Sequence, residues 1–187
     1  MKTLVVYGTR YGATAGTSEE IANVLRGEGF NVKVADAKEE KIEDISEYEL
    51  VVIGGGLQMG RVTSETEDFL KKFQKELAQK KVALFVSSAF KAVFEHEGKT
   101  EDLEKTRKTY LDDKAAKYGL APIAVGLFGG IVDYGKMGLI ARKAFGSIKA
   151  RFEAAGFKEI RPGVYDTRDW DEIRDWARKL VLKARYL

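Results

Sequence analysis

The chain has 187 residues, 44% apolar and 33% charged, which suits one ordinary globular domain over residues 1–187. Its formal net charge of +3 comes from lysines interleaved with glutamates, without the basic stripe that a nucleic-acid partner requires. With no cysteine and one histidine, His96, the composition excludes disulfides, thiolate or histidine metal clusters, iron–sulfur ligation and cysteine nucleophiles.

Strand residues follow directly on Met1-Lys2-Thr3 without a signal-peptide pattern, so the cytoplasm is the expected compartment. Leu4–Tyr7 reads as a buried strand. Ser18–Gly29 reads as a helix with Ile21, Ala22, Val24 and Leu25 on one side, stopped at Gly27 or Gly29. Phe30–Ala35 is a second strand, and Leu50–Ile53 a third that ends at Gly54-Gly55-Gly56. Thr66, Phe69, Leu70, Phe73 and Leu77 lie at helical spacing within Thr63–Lys80, and Lys81–Val86 is a fourth strand. Ala89–Lys99 reads as irregular and the charged Thr100–Lys117 as a helix, together an insertion in the domain. Leu120–Val132 is nearly apolar but too short to span a bilayer, so no transmembrane segment is expected; Pro122–Phe128 within it is a fifth strand. Helices over Lys136–Ala155 and Trp170–Arg185 flank an extended piece around Ile160–Tyr165. This strand–helix alternation implies an α/β three-layer sandwich around a five-stranded parallel sheet.

In such sheets ligands bind beyond the carboxyl ends of the strands. The first of these tips is VYGTRYGAT, residues 6–14. Gly12 admits close backbone approach, Thr9 and Thr14 add hydroxyls, and the following helix offers free N–H groups and the positive end of its dipole. The glycines at 8, 12 and 16 do not form a dinucleotide fingerprint, and the lysine of a nucleoside-triphosphate loop is missing. The pattern fits one terminal phosphate monoester, or else an ordinary Gly/Thr turn with a threonine cap. The tip Gly54–Gly60 can present backbone to a flat ligand, with Leu57 and Met59 over a ring face. Ser87-Ser88-Ala89-Phe90 offers hydroxyls and one aromatic ring, or else a helix cap and a core phenylalanine.

Val5-Val6-Tyr7-Gly8-Thr9-Arg10-Tyr11-Gly12-Ala13-Thr14 resembles, position by position, the FMN phosphate loop of the flavodoxin family. The tail Tyr165-Asp166-Thr167-Arg168-Asp169-Trp170 is similar to a branch that includes flavodoxin-type protoporphyrinogen dehydrogenases. The resemblance implies a flavodoxin-like fold with strand order 2-1-3-4-5 and FMN as cofactor. Thr9, Arg10, Tyr11, Gly12, Ala13 and Thr14 would then hold the phosphate. Gly55, Gly56, Leu57, Gln58, Met59 and Gly60, with Ser87, Ser88, Ala89 and Phe90, would border the flavin ring, with Tyr134 a further stacking candidate. The implied function is electron transfer between redox protein donors and acceptors. The alternatives are an FMN-dependent dehydrogenase of the protoporphyrinogen type passing electrons to a quinone, and a flavin-free binding module. Homodimerisation is left open.

The chain departs from the family pattern at three places. Ala15–Ser18 is an insertion, read either as one extra helical turn or as a longer loop capped by Thr17 or Ser18. The Trp and Tyr that usually sandwich the ring are absent from the tips. Arg61, Lys91 and Lys136 lie at the expected mouth, where cations would favour an anionic reduced flavin and make its potential less negative. Elsewhere His96 reads as a solvated loop histidine, Trp170 and Trp176 as core anchors, and Lys136 to Arg151 as a helix with a basic outer face.

Overall fold

Leu4-Val5-Val6 at the head of the chain are all within 1% of full burial, as expected of a strand covered on both faces. They belong to β1 (Lys2–Gly8), at the heart of a computed structural model that describes residues 1–136 and 148–187. The remaining elements in chain order are α1 (Ala13–Gly27), β2 (Asn31–Asp36), β3 (Leu50–Gln58), β4 (Arg61–Val62), α2 (Ser64–Lys72) and α3 (Gln74–Leu77). Then come β5 (Lys81–Ser87), α4 (Phe90–His96), α5 (Thr100–Arg107), a π-helical turn Lys108–Asp112, α6 (Asp113–Lys117) and β6 (Ala124–Phe128). β7 (Ile131–Asp133), helical residues 148–154 (α7), β8 (Glu159–Arg161), β9 (Val164–Asp166) and α8 (Trp170–Tyr186) complete the described chain.

The expected five parallel strands are present in the order β2-β1-β3-β5-β6, the flavodoxin-like 2-1-3-4-5 when only they are numbered. A sixth, short strand, β4, pairs antiparallel with the end of β3. Side chains alternate across the sheet with period two. Leu4, Val6, Val51, Ile53, Val82, Leu84 and Val86 face α2, α3 and the Leu111–Leu120 stretch. Val5, Leu50, Val52, Ala83 and Phe85 face α1 and α8, whose Ile21, Leu25, Ile173, Ala177 and Leu180 are fully buried. Trp176 is such an anchor: its Nε1 donates to the Val125 carbonyl at 2.9 Å, and its ring packs on Phe85 and Phe128.

Several boundaries differ from the sequence reading. α1 starts at Ala13, because Gly12 takes the left-handed conformation (φ 85) and the Thr9 hydroxyl accepts its N–H at 3.0 Å. Ala15–Ser18 therefore form the extra helical turn, and Thr17 and Ser18 are buried within the helix, where they cap nothing. β3 runs through the glycine triplet to Gln58. Phe73, at φ −103 and ψ 15, divides the expected Thr63–Lys80 helix into α2 and α3. Residues read as irregular, Phe90–His96, form α4, which leaves His96 exposed at a helix end. The extended piece near Ile160 is part of a separate three-stranded antiparallel sheet, β7-β9-β8. The basic helix expected over Lys136–Ala155 falls largely outside the described residues.

That small sheet covers a satellite core of Val93, Val132, Phe152 and Tyr165. Two carboxylates pin it. Hydrogen bonds from Arg151 Nε and Nη2 (2.6 and 2.7 Å), and then from Lys99, hold Glu97 down at about 2 from 4.5. Tyr134, Lys149 and the Gly163 N–H hold Glu159 at about 2 in the same way. Both folded values are depressed, so their contribution is complete above the ordinary glutamate range and fades as pH falls toward 2. Between roughly pH 5 and pH 3 the urea midpoint of the native chain is expected to drop more than that of Glu97→Gln with Glu159→Gln. Equal drops in both proteins would remove these two groups as the acid-sensitive pins.

Candidate functional site

Register brings the tips together. β1 and β3 align Gly8 with Gly55, β3 and β5 align Gly56 with Ser87, and β5 and β6 align Ser87 with Phe128. Above this row lies a narrow cleft of about 20 Å³, lined by Thr9, Arg10, Tyr11, Ala13, Thr14, Gly56, Leu57, Gln58, Ser87, Ala89, Gly130 and Ile131. Three chemical features converge on it. The first turn of α1 has neither a side-chain cap nor an acidic residue, so its leading N–H groups and the positive dipole end are uncompensated. Thr14 is 1% exposed, and its Oγ1 would stand only 3.1 Å from a methyl placed on Gly56. The Ser87 hydroxyl, also buried, has no hydrogen-bond partner among the described residues. An orphaned buried hydroxyl costs about 1–3 kcal/mol, which a bound polar ligand would recover.

The cleft is latched. Gln58 Nε2 donates to the Tyr11 hydroxyl across it, which leaves the tyrosine proton free for another acceptor. Burial, then the charge of Asp133, raises the Tyr11 pKa, so that proton stays on at neutral pH. A drug-sized ligand needs roughly 300 Å³ or more, so the cleft alone would not enclose one. A larger neighbouring depression of about 610 Å³ shares Arg10, Gly56 and Gln58 with the cleft and adds Met59, Arg61, Val62, Thr63 and Ser64.

The β3–β4 hairpin forms the rim between the two. Met59 (φ 48) and Gly60 (φ 72) are both left-handed, as a two-residue primed turn requires. For methionine this costs about 1–2 kcal/mol, and its side chain is 89% exposed. Tyr110, on the π-helical turn, donates to the Gly60 carbonyl at 2.8 Å and fixes the hairpin from behind.

The other expected residues fall differently. Phe90 packs on Phe94 and Phe152 in the satellite core, so Ala89 lines the cleft in its place. Tyr134 lies against Tyr165 with its hydroxyl on Glu159; burial, then that hydrogen bond, raises its pKa, and Ile131 takes the cleft position. The Ser88 N–H donates to the Phe128 carbonyl at 2.9 Å, tying the β5 and β6 tips. Lys91 is turned away, 2.8 Å from Glu95 and 2.9 Å from Glu172; burial opposes its charge, but the two carboxylates outweigh it and raise its pKa. Lys136 lies 3.9 Å from Asp133. Of the three cations expected at the mouth, Arg61 alone lines the depression, joined by Arg10.

Gly130 and Ile131, in the wall, come from the strand tip Gly129–Gly135, while Thr167 and Arg168 behind it were not among the expected site residues. Thr167 Oγ1 accepts the Gly130 N–H and donates to the Ala89 carbonyl, each at 3.1 Å. Arg168, chelated by Asp166 and stacked over Trp170, reaches the Ala13 carbonyl at 3.4 Å and so braces the first turn of α1. Among the described residues no cluster of His, Asp or Glu could hold a metal ion, and no helix is long and apolar enough to cross a membrane.

A family model described as a flavodoxin domain matches residues 4–156. The protoporphyrinogen IX dehydrogenase (quinone) of Escherichia coli strain K12 is 24% identical over 181 residues, 97% of this chain and 95% of that protein. The Streptococcus pneumonia TIGR4 flavodoxin superposes with a TM-score of 0.57 at 13% identity, over 98% of this chain and 99% of that one. Two-electron reduced Megasphaera elsdenii flavodoxin gives 0.53 at 18% identity, over 82% and 97%. At these identities the superpositions establish the shared fold.

Proposed function

Because the chain belongs to the flavodoxin domain family, we propose that it binds FMN and carries electrons between redox protein partners. The observation that carries this reading is the convergence on one cleft of the uncapped α1 N-terminus, Thr14 and the orphaned Ser87 hydroxyl. The first-turn N–H groups with Thr9 and Thr14 would hold the phosphate, as anions are held at helix N-termini. Gly56 leaves room for the chain of the ligand, and Ser87 and the free Tyr11 proton would bond its polar edge. Leu57, Gln58, Met59 and Gly60 on one side, and Ala89 and Ile131 on the other, would border the ring. When bound, FMN supplies the one- and two-electron chemistry, while the protein binds, orients and shields. Electron transfer of this kind needs no catalytic acid or base.

A second reading is favoured by the relative that matches along 97% of the chain, tail included: an FMN-dependent dehydrogenase of the protoporphyrinogen type. Oxidation of protoporphyrinogen by the FMN-loaded protein with a quinone acceptor would favour it over the carrier.

Cofactor-free protein titrated with FMN is expected to quench flavin fluorescence with one-to-one stoichiometry. Gly12→Val with Thr14→Ala is expected to weaken that binding about 100-fold, roughly 2.7 kcal/mol, by straining the left-handed cap and removing the hydroxyl. No quenching at high FMN would reduce the flavodoxin reading to a shared fold.

A further inference from the structure

Most cations near the tips are neutralised. Lys91 pairs with two glutamates, Arg151 with Glu97, Arg168 with Asp166 and Arg174 with Glu20. Arg10 and Arg61 are different: both are exposed, and neither makes an ion pair among the described residues. Both line the 610 Å³ depression, whose described lining includes no acidic side chain. The nearest acid in sequence, Glu65, accepts from Ser64 within the first turn of α2. Met59 lines the same depression, apolar, 89% exposed and in a left-handed conformation on a hairpin that Tyr110 fastens.

Arginine and methionine are the residues that interface cores gather, and a projecting side chain suits a facing surface better than a small enclosed ligand. Unpaired like charges around an apolar point also steer an oppositely charged partner and fix its orientation. We propose that the Arg10–Met59–Arg61 face docks an electron-transfer protein that is acidic around its own redox centre. This rests on the FMN reading, since the face borders the cleft assigned to the cofactor. The partner receives the electrons at the hairpin rim, and the net charge of the rest of the chain matters little.

The test uses FMN-loaded, photoreduced protein mixed in a stopped-flow instrument with rubredoxin as an acidic acceptor, cytochrome c as a basic one and ferricyanide as a small anion. Arg61 is the site to vary, because Arg10 belongs to the cofactor loop. Arg61→Glu is expected to slow rubredoxin reduction about tenfold and to speed cytochrome c reduction, with Arg61→Gln between. The native rate with rubredoxin should fall as salt rises. Lys183→Glu, near the end of α8 beside the start of β5, should change neither by more than about twofold. Rubredoxin rates unchanged in Arg61→Glu, or lowered as much by Lys183→Glu, overturn the docking face. An equal slowing with ferricyanide overturns it too, by making the depression a small-anion pocket. If the native protein holds no flavin, as absorption would show beforehand, the FMN reading itself fails and the docking proposal with it.

Discussion

Gly56→Val is expected to fold and yet to lose FMN. Gly56 sits near the end of β3, half-buried, in the wall shared by the two depressions. A Cβ there would stand 3.1 Å from Thr14 Oγ1 and 3.7 Å from the Gly8 carbonyl, so the branched side chain of valine would occupy the cleft floor. Valine favours strand geometry, and the position is not left-handed, so stability should change by less than about 1 kcal/mol. Affinity should fall at least about 100-fold, near 2.7 kcal/mol. A fluorescence titration and a urea midpoint on the same preparation separate the two quantities. Unchanged affinity would place the cofactor off this cleft, whereas loss of the fold would show Gly56 to be a packing residue like its two predecessors.

Those predecessors show what a sequence conceals. Gly54-Gly55-Gly56 reads as the start of one tip that presents backbone to a flat ligand, yet all three lie inside β3. An added Cβ would meet the Phe85 ring at 2.3 Å from Gly54, and Val62 at 2.5 Å from Gly55. Only Gly56 opens on the cleft. Glycine is visible in a sequence, but the neighbour that forbids a side chain there is brought up by long-range pairing. The parallel sheet was legible because periodicity and strand–helix alternation are local signals, whereas its strand order came from the resemblance to the flavodoxin family. The turn from Thr9 into α1 was legible because one contiguous segment carries all its parts. The packing of Phe90 and Tyr134 was not: both lie against a satellite core built with Phe152 and Tyr165, far along the chain. Of the two carboxylates that pair Lys91, Glu95 is four residues away on the same helix, but Glu172 lies 81 residues away and could not be read locally. The helix reading over 100–117 missed the π turn, which needs the docking of Leu111 in the core and Tyr110 on Gly60 to show itself.

Phe85→Ala is expected to cost about 3–5 kcal/mol, a large part of what holds a domain of this size together. The ring is 1% exposed, 5.7 Å from Phe128 and 6.3 Å from Trp176, and it covers the bare face of Gly54. Gly54→Ala in the native background forces a methyl into that ring and should cost about 1–3 kcal/mol. In the double variant the methyl instead grows into the space the ring has left. The two costs should then fall short of additive by at least about 1 kcal/mol, measured as urea midpoints followed through Trp176 beside the lost ring. Strict additivity would mean that ring and glycine do not share one space. Coupling would make Gly54 the seat of Phe85, which lies on β5 two residues before Ser87. The same packing then sets how Ser87 and Gly56 lie side by side at the cleft, so FMN affinity in Phe85→Ala should fall even though the ring does not line the cleft.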